Sequence, residues 1–439
     1  MSWRWFDLRG AGTTLQREVV GGLTTFLTMA YIVIVNPAVL SQAGMDFGAV
    51  MTATCLAAGI ATAVMGLAAD YPIAMAPAMG GNFFFLAVAV TMGLGWRVAL
   101  GAVLVSGLAF LALTAFGLRE RLIDALPVGL RHAIAVGIGL FITLLGFAAA
   151  GIVERPPKVG MLHLGDVTRA PTLIACGGLA VTVALLARGV RGALLWGIAL
   201  AATCAWTLGL VHWQGLLAPP PSLAPTLLQV DLRGALQPRT LPVVVVFLFM
   251  AVFDAIGTLV AIGEQGGFFR AGRLPRARRA LLADSAGTVL GALLGTATVT
   301  ASVESAAGVA AGARTGLANL VTAAGFFAAL FCAPLVRMIG SGVPMANGAV
   351  LQPLTAPALI VVGSLMVRNV ARIDWDDPTE AFPAFLVMVG IPFTWSIADG
   401  IAFGFIARPL VKLLAGRGRE ASPVDYALGV AFVLRYALL

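Results

Sequence analysis

GTATVTASVESAAGVAAGARTG, residues 295–316, changes character half-way along. Its first half, through Ser302, is β-branched and hydroxyl-rich, whereas its second half is Ala/Gly helical. Glu304 stands alone in the middle. A continuous helix tolerates this mixture poorly, so the stretch reads as an extended piece followed by a half-helix. DYPIAMAPAMGGNFFF, residues 70–85, carries the same signal through Pro72, Pro77, Gly80 and Gly81. A third stretch, LPVVVVFLFMAVFDAIGTLVAIG, residues 241–263, is helical in pattern and holds a single acid, Asp254. An ionised carboxylate at bilayer depth costs several kcal/mol, so it is kept where it faces a cavity, a partner or a substrate.

The surroundings are membrane-like. Of 439 residues, 60% are hydrophobic and 11% charged, against about 25% charged in a soluble chain. The apolar runs are ~17–25 residues long, as a spanning helix requires. They lack the short alternating strands of a barrel. In such a chain the net charge of +8 reflects basic cytoplasmic loops, and nothing resembles a nucleic-acid-binding module. Cys55, Cys176, Cys204 and Cys332 fall in apolar segments without ligand spacing, which suggests small core residues, with no disulfide framework and no metal. His132, His163 and His212 lie at predicted helix ends or in loops, so none is placed as a mid-membrane proton relay. The first 22 residues read as a cytoplasmic amphipathic lead-in with Trp/Phe anchors rather than a cleaved signal.

About fourteen segments can be marked. They are 18–41, 49–69, 71–91, 97–117, 127–151, 171–187 and 191–211, then 240–263, 280–296, 297–313, 315–339, 345–368, 381–394 and 397–415. Residues 424–439 carry Asp425 and Arg435 and read as an interfacial helix. Residues 212–239, with the run APPPSLAP, read as an outer linker rather than structure. The cluster Arg270, Arg273, Arg276, Arg278 and Arg279 places its loop, and with it both termini, on the cytoplasmic side. Segments three and ten line up loosely at an offset of about 230 residues, and an odd number of crossings per repeat gives the repeats opposite orientations. Paired interrupted helices in inverted repeats point to a transporter's binding site.

The expected site is a cleft lined by segments one, three, eight and ten. Half-helix N-termini offer unpaired N–H groups, and the carboxylates of Asp254 and Glu304 accept from ring N–H or amino groups of a planar heterocycle. Burial favours the neutral acid, which couples proton uptake to ligand binding at the same two residues. Each has a structural alternative: Asp254 as a cap or hydroxyl partner, Glu304 as the cap of the segment-ten half-helix. Asn82 either contacts ligand or satisfies broken backbone. Gly80 and Gly81 permit close approach, and Val303 flanks Glu304. Phe83, Phe84 and Phe85 either offer a stacking ring or pack in the core. Asp284 caps its helix or sits behind the site, and Asp399 reads as a cap. Asp374, Asp376, Asp377 and Glu380 form a solvated acidic loop more readily than a metal site.

These stretches are also recognisable. GGLTTFLTMAYIVIVNPAVLSQAGM, YPIAMAPAMGGNFFF, FDAIGTLVAIGEQGG and SVESAAGVAAGARTGLANLVTA resemble the nucleobase–cation symporter-2 superfamily. So do TAPALIVVGSLMV, IDWDDPTEAFPAFL and FTWSIADGIAFGFI. The resemblance is to the hypoxanthine/guanine/adenine permease branch and covers nearly the whole chain. It implies an all-α membrane fold of about fourteen segments in two inverted repeats. The core domain would be residues 17–118 and 240–339; the gate domain would be 127–211 and 345–416. It further implies import of purine nucleobases between the extended pieces of segments three and ten. Proton symport with elevator-type movement is implied too, with sodium as an open alternative, as is a location in the inner (plasma) membrane and a possible homodimer through the gate. No cofactor is implied. The branch's segment-eight and segment-ten acids fall on Asp254 and Glu304, and the Gly and Asn of its APGMGLN pattern fall on Gly80 and Asn82.

This chain departs from that pattern with Ala78 in place of Gly, and with Gly81 in place of a larger apolar residue. Both bear on base preference. The segment-eight histidine of uracil permeases has no match after Asp254, which argues against a pyrimidine. Another small solute on the same fold, uracil/xanthine or an inorganic anion, is the alternative, although two acids would repel an anion. A membrane enzyme is disfavoured, since HExxH and GxSxG motifs are absent.

Overall fold

The computed structural model describes residues 6–117, 127–154, 162–269, 274–340, 342–345, 350–394 and 397–437. In chain order the first half gives α1 (Leu15–Met29), α2 (Ile32–Ser41), α3 (Phe47–Ala69), β1 (Met75–Pro77), α4 (Met79–Leu86) and α5 (Trp96–Ala115), with a π-helical turn, Ala87–Thr91, between the last two. It continues with α6 (Val128–Ala149), β2 (Val153–Glu154), β3 (His163–Leu164), α7 (Ala170–Ala187) and α8 (Ala193–Thr207). The second half gives α9 (Leu232–Ala235), α10 (Leu241–Gly266), α11 (Ala277–Leu294), β4 (Val299–Ala301), α12 (Ser305–Ala310), α13 (Leu317–Ala329) and α14 (Ala333–Gly340). The remainder is β5 (Val343–Pro344), β6 (Val350–Leu351), α15 (Ala356–Val367), α16 (Pro378–Thr394), α17 (Ile397–Leu414) and α18 (Pro423–Ala437). Among the described residues seven helices are long and apolar enough to cross a membrane, with shorter apolar helices beside them. The chain is an integral, multi-pass membrane protein.

Residues fall into two compact units, one of 1–116 and 149–358, the other of 117–148 and 359–439. The first is built around a two-stranded antiparallel ladder. β1 pairs with β4 in the register Met75 with Ala301, Ala76 with Thr300 and Pro77 with Val299. Both extended pieces read from the sequence are therefore present, and each is followed by a helix. α11 presses Gly287 and Gly291 against the ladder; a Cβ at these positions would come within 2.5 Å of Met75 and 2.7 Å of Val299. α3 packs on α11 and α13, and α5 packs on α10 and α11. α3 starts on an Asp46 cap that accepts the Ala49 N–H at 2.7 Å and ends on left-handed Asp70, a conformation aspartate tolerates.

Two readings gain detail. Segment one forms one apolar span, Leu15–Ser41, but not an unbroken helix: it is interrupted at Ala30–Tyr31. Thr28 turns its hydroxyl back onto the Thr24 and Thr25 carbonyls, a bond that bends helices, and Pro37 withholds a donor one turn into α2. Nor is the 212–239 connector merely a linker. Asp231 caps α9 through Gly234 N–H at 2.9 Å, and Leu228 N–H bonds to the Leu293 carbonyl at 2.8 Å. Its proline-rich composition masked these anchors. A smaller difference concerns Cys204, which is exposed on α8 rather than buried; in a bilayer an outward helix face is apolar too, so hydropathy does not separate the two.

The second unit joins α16 and α17 as a hairpin in which Gly400 and Gly404 let the helices approach closely. α18 packs on α17, with Phe405 and Phe432 ring centroids 6.3 Å apart. The acidic loop before α16 is not simply solvated. Glu380 accepts a two-pronged pair from Arg408, at 2.6 and 2.9 Å, and Lys412 at 3.0 Å. Arg408 also reaches Asp425 of α18 at 2.6 Å, and Arg417 bridges Asp377 and Glu420. Arg408 and Lys412 are buried, so their charges persist because they are paired.

Candidate functional site

Glu304 occupies the turn between β4 and α12, at the position that precedes the helix. Its side chain does not cap that helix. It turns the other way: Oε1 accepts the Tyr31 hydroxyl at 2.8 Å, and Oε2 accepts the Ser302 hydroxyl. The Thr28 hydroxyl reaches the Glu304 carbonyl at 3.4 Å. Segment one thus meets segment ten at the residues where both are interrupted. Val303 is 61% exposed and Glu304 partly so, which leaves this turn facing open space.

Behind the ladder lies a layer of polar groups that satisfies its outward backbone atoms. Asp284 of α11 is fully buried and accepts the Ala301 N–H at 2.6 Å and the Thr300 hydroxyl at 2.9 Å. It sits behind the site rather than capping α11. The Thr62 hydroxyl serves Met75, accepting its N–H at 2.9 Å and donating to its carbonyl at 3.0 Å, and the Thr288 hydroxyl donates to the Val299 carbonyl at 2.8 Å. Asn319 donates to the Ile73 carbonyl at 2.8 Å, and Ala74 N–H donates to Ser305 Oγ at 2.9 Å. Buried backbone needs such partners. Most of them come from α3, α11 and α13.

α10 packs against β4, α12 and α4. Phe247, Ala251, Ala255, Thr258 and Leu259 are its buried face, whereas Asp254, Gly257, Ala261 and Gln265 follow one another along an exposed stripe. Asp254 is therefore on the accessible side of α10. Further along the stripe, Gln265 donates to the Ala306 carbonyl of α12 at 3.2 Å. The two acids singled out from sequence stand on elements that touch.

Gly80, Asn82 and Phe83 all lie in α4, the half-helix that follows β1, and all are buried. Asn82 directs Nδ2 toward Met79 Sδ at 3.8 Å, and its Oδ1 is without a partner among the described residues. A Cβ on Gly81 would sit 3.3 Å from Thr298 Cβ, so the absence of a larger residue here lets α4 close on the strand that precedes Glu304. The rings of Phe83, Phe84 and Phe85 are packed inward, with Phe84 and Phe247 centroids 4.6 Å apart. Tyr31 and Ser302 escaped the sequence reading. A tyrosine in an apolar run looks like an interfacial anchor, and only a threonine and a later proline hint that the helix breaks beside it.

The Xan_ur_permease sequence model, a permease family, matches residues 16–403. This chain belongs to that family. Within the nucleobase–cation symporter-2 proteins it falls beside purine permeases. It is 43% identical to the guanine/hypoxanthine permease PbuG of Bacillus subtilis, over 99% of each chain. It is 39% identical to the adenine permease AdeP of Escherichia coli, over 99% of this chain and 96% of the relative. Among solved structures, the transmembrane domain of the cyanobacterial bicarbonate transporter BicA superposes with a TM-score of 0.63 at 17% identity, covering 88% of this chain and 97% of that one. Murine Slc26a9, an anion transporter, gives a TM-score of 0.63 at 9% identity, covering 94% and 70%. These neighbours share the fold. The permease family members are transporters, not enzymes.

Proposed function

We propose that this permease imports purine nucleobases, hypoxanthine, guanine or adenine, by proton symport in the inner membrane with both termini cytoplasmic. The observation that carries the reading is Glu304. Its carboxylate is presented at the end of a strand, beside open space, with both oxygens oriented by hydroxyl donors. An ionised carboxylate is an acceptor only and suits the ring N–H and amino donors of a purine. Asp254, on the neighbouring exposed stripe, supplies a second acceptor or the proton-carrying site. Asn82, Gly80, Phe83 and Val303 complete the pocket in this reading, with Asn82 Oδ1 as a further acceptor. The curated relatives named for guanine, hypoxanthine and adenine support the substrate class. Two carboxylates at the site disfavour the anions carried by the fold's structural neighbours. Transport then follows an elevator-type movement of residues 17–118 and 240–339 against a gate formed by 127–211 and 345–416.

The test is uptake of radiolabelled hypoxanthine, guanine and adenine into cells expressing the chain, with uracil and xanthine as competitors. It is run at several pH values and with or without sodium. Accumulation of a purine that is accelerated by an inward proton gradient and indifferent to sodium is expected. Failure of all three bases to accumulate would defeat the reading.

A further inference from the structure

Glu304 has three rotatable side-chain bonds and a place in a turn open on one side. Left to itself, its carboxylate would sample several orientations, at a cost in entropy when one is selected by ligand. Tyr31 removes that freedom from a fixed point. It is 1% exposed, and its backbone is held in the two-residue break by the Val33 N–H on the Ala30 carbonyl and the Ile34 and Val35 N–H groups on its own carbonyl, at 2.9 to 3.2 Å. A tyrosine ring has only two such bonds, so a buried one is a stiff arm. Its hydroxyl ends 2.8 Å from Oε1. Ser302, two residues before Glu304 on the same turn, holds Oε2. Since a carboxylate offers about four lone-pair directions, these two bonds leave the outward pair free.

We infer that Tyr31 is a positioning residue: it aims the outward lone pairs of Glu304 at the ring donors of the substrate, across the junction of segments one and ten. The identity of that substrate rests on the purine reading above; the aiming of Glu304 does not. A tyrosine that merely fills the core would satisfy its own hydroxyl and leave the carboxylate's orientation unaffected.

The test uses the full-length purified protein and the Tyr31→Phe variant. Infrared difference spectra between wild type and Glu304→Gln identify the Glu304 carboxyl band, and equilibrium binding of radiolabelled hypoxanthine, guanine and adenine is measured in parallel. Tyr31→Phe should move the Glu304 band and weaken the best-bound base by roughly ten- to a hundredfold, the worth of one hydrogen bond to a charged group. Ligand-free thermal stability should change little. If Tyr31→Phe does not fold, 3-fluorotyrosine incorporated at this position, a stronger donor of nearly the same size, should move the band in the opposite direction. A band that stays in place overturns the inference, whether or not affinity falls; a fall without a band shift means that Tyr31 touches the base itself. A band shift in a protein that binds none of the three bases upholds the inference and defeats the purine reading.

Discussion

Asp284 does not cap its own helix; it reaches sideways to accept the Ala301 N–H at 2.6 Å. The last residue of β4 is thereby tied from behind to α11, three residues before Glu304. The same carboxylate takes the Thr300 hydroxyl at 2.9 Å, so the acid shapes the strand that presents the site without facing the open side. Asp284→Ala leaves a buried N–H and a buried hydroxyl without their acceptor, a loss of about 1–3 kcal/mol for the N–H alone. Thermal unfolding in detergent should register it. Uptake should fall further than stability does, because the strand end carries Glu304.

Asp254→Asn and Glu304→Gln are expected to abolish proton-coupled uptake while leaving folded protein in the membrane. Radiolabelled-base accumulation, normalised to monodisperse protein recovered by size exclusion, checks both. Normal accumulation by either variant removes that residue from the mechanism. Asp254 sits on an exposed stripe of α10, so its loss should disturb packing less than the loss of Asp284.

Gly81 lies against Thr298 at a spacing that a methyl group would tighten but not forbid, 3.3 Å from Cβ to Cβ. Gly81→Ala should fold, with stability changed by about 1 kcal/mol or less. It should alter the KM ratio among hypoxanthine, guanine and adenine, since α4 and the residues leading into β4 must shift by a few tenths of an ångström. Unchanged ratios across the three bases would place this contact outside the substrate pocket.

In the second unit, Arg408 is the shared partner of Glu380 and Asp425. Arg408→Met strands two acids, of which Asp425 is almost wholly buried. Removing one partner of a buried pair costs about 3–5 kcal/mol, and the value here should fall toward the lower end because Glu380 keeps Lys412. Limited proteolysis near residues 415–423 should report the loosening of α18.

The outer part of that network should respond to acid. Hydrogen bonds from Arg417 first, and from Thr379, hold Asp377 down from 3.8 to about 2; bonds from Arg417 and then Lys412 hold Glu420 down from 4.5 to about 2. Both are depressed carboxylates, so their contribution is full above the unfolded values, near pH 4 to 4.5, and is lost as pH falls toward 2. Glu420 is exposed and Asp377 only partly buried, so the effect should be local: faster cleavage between α17 and α18 at low pH, with a smaller acid-induced rise in Asp377→Asn, which has already lost the contact.

Much of this was readable beforehand. Threonine-rich β-branched sequence next to Ala/Gly sequence gave an extended piece before a helix, and Pro72 and Pro77 gave its counterpart. The cost of a carboxylate in lipid isolated Asp254 and Glu304. What could not be read is what depends on contacts between distant residues. The break at Ala30–Tyr31 has only a threonine and a later proline as local signs. The pairing of Tyr31 with Glu304 spans 273 positions. The acids at 377, 380, 420 and 425 look solvated until Arg408, Lys412 and Arg417 are placed among them.

The ladder between β1 and β4 has a mechanical corollary. Prising Met75 from Ala301 would strip backbone groups of their partners in a region without water to replace them, at several kcal/mol for each. The two broken spans are thus riveted together, and in the proposed elevator-type movement they would travel as a single block. Each half of the chain, expressed alone, would lack the strand that its own broken span pairs with.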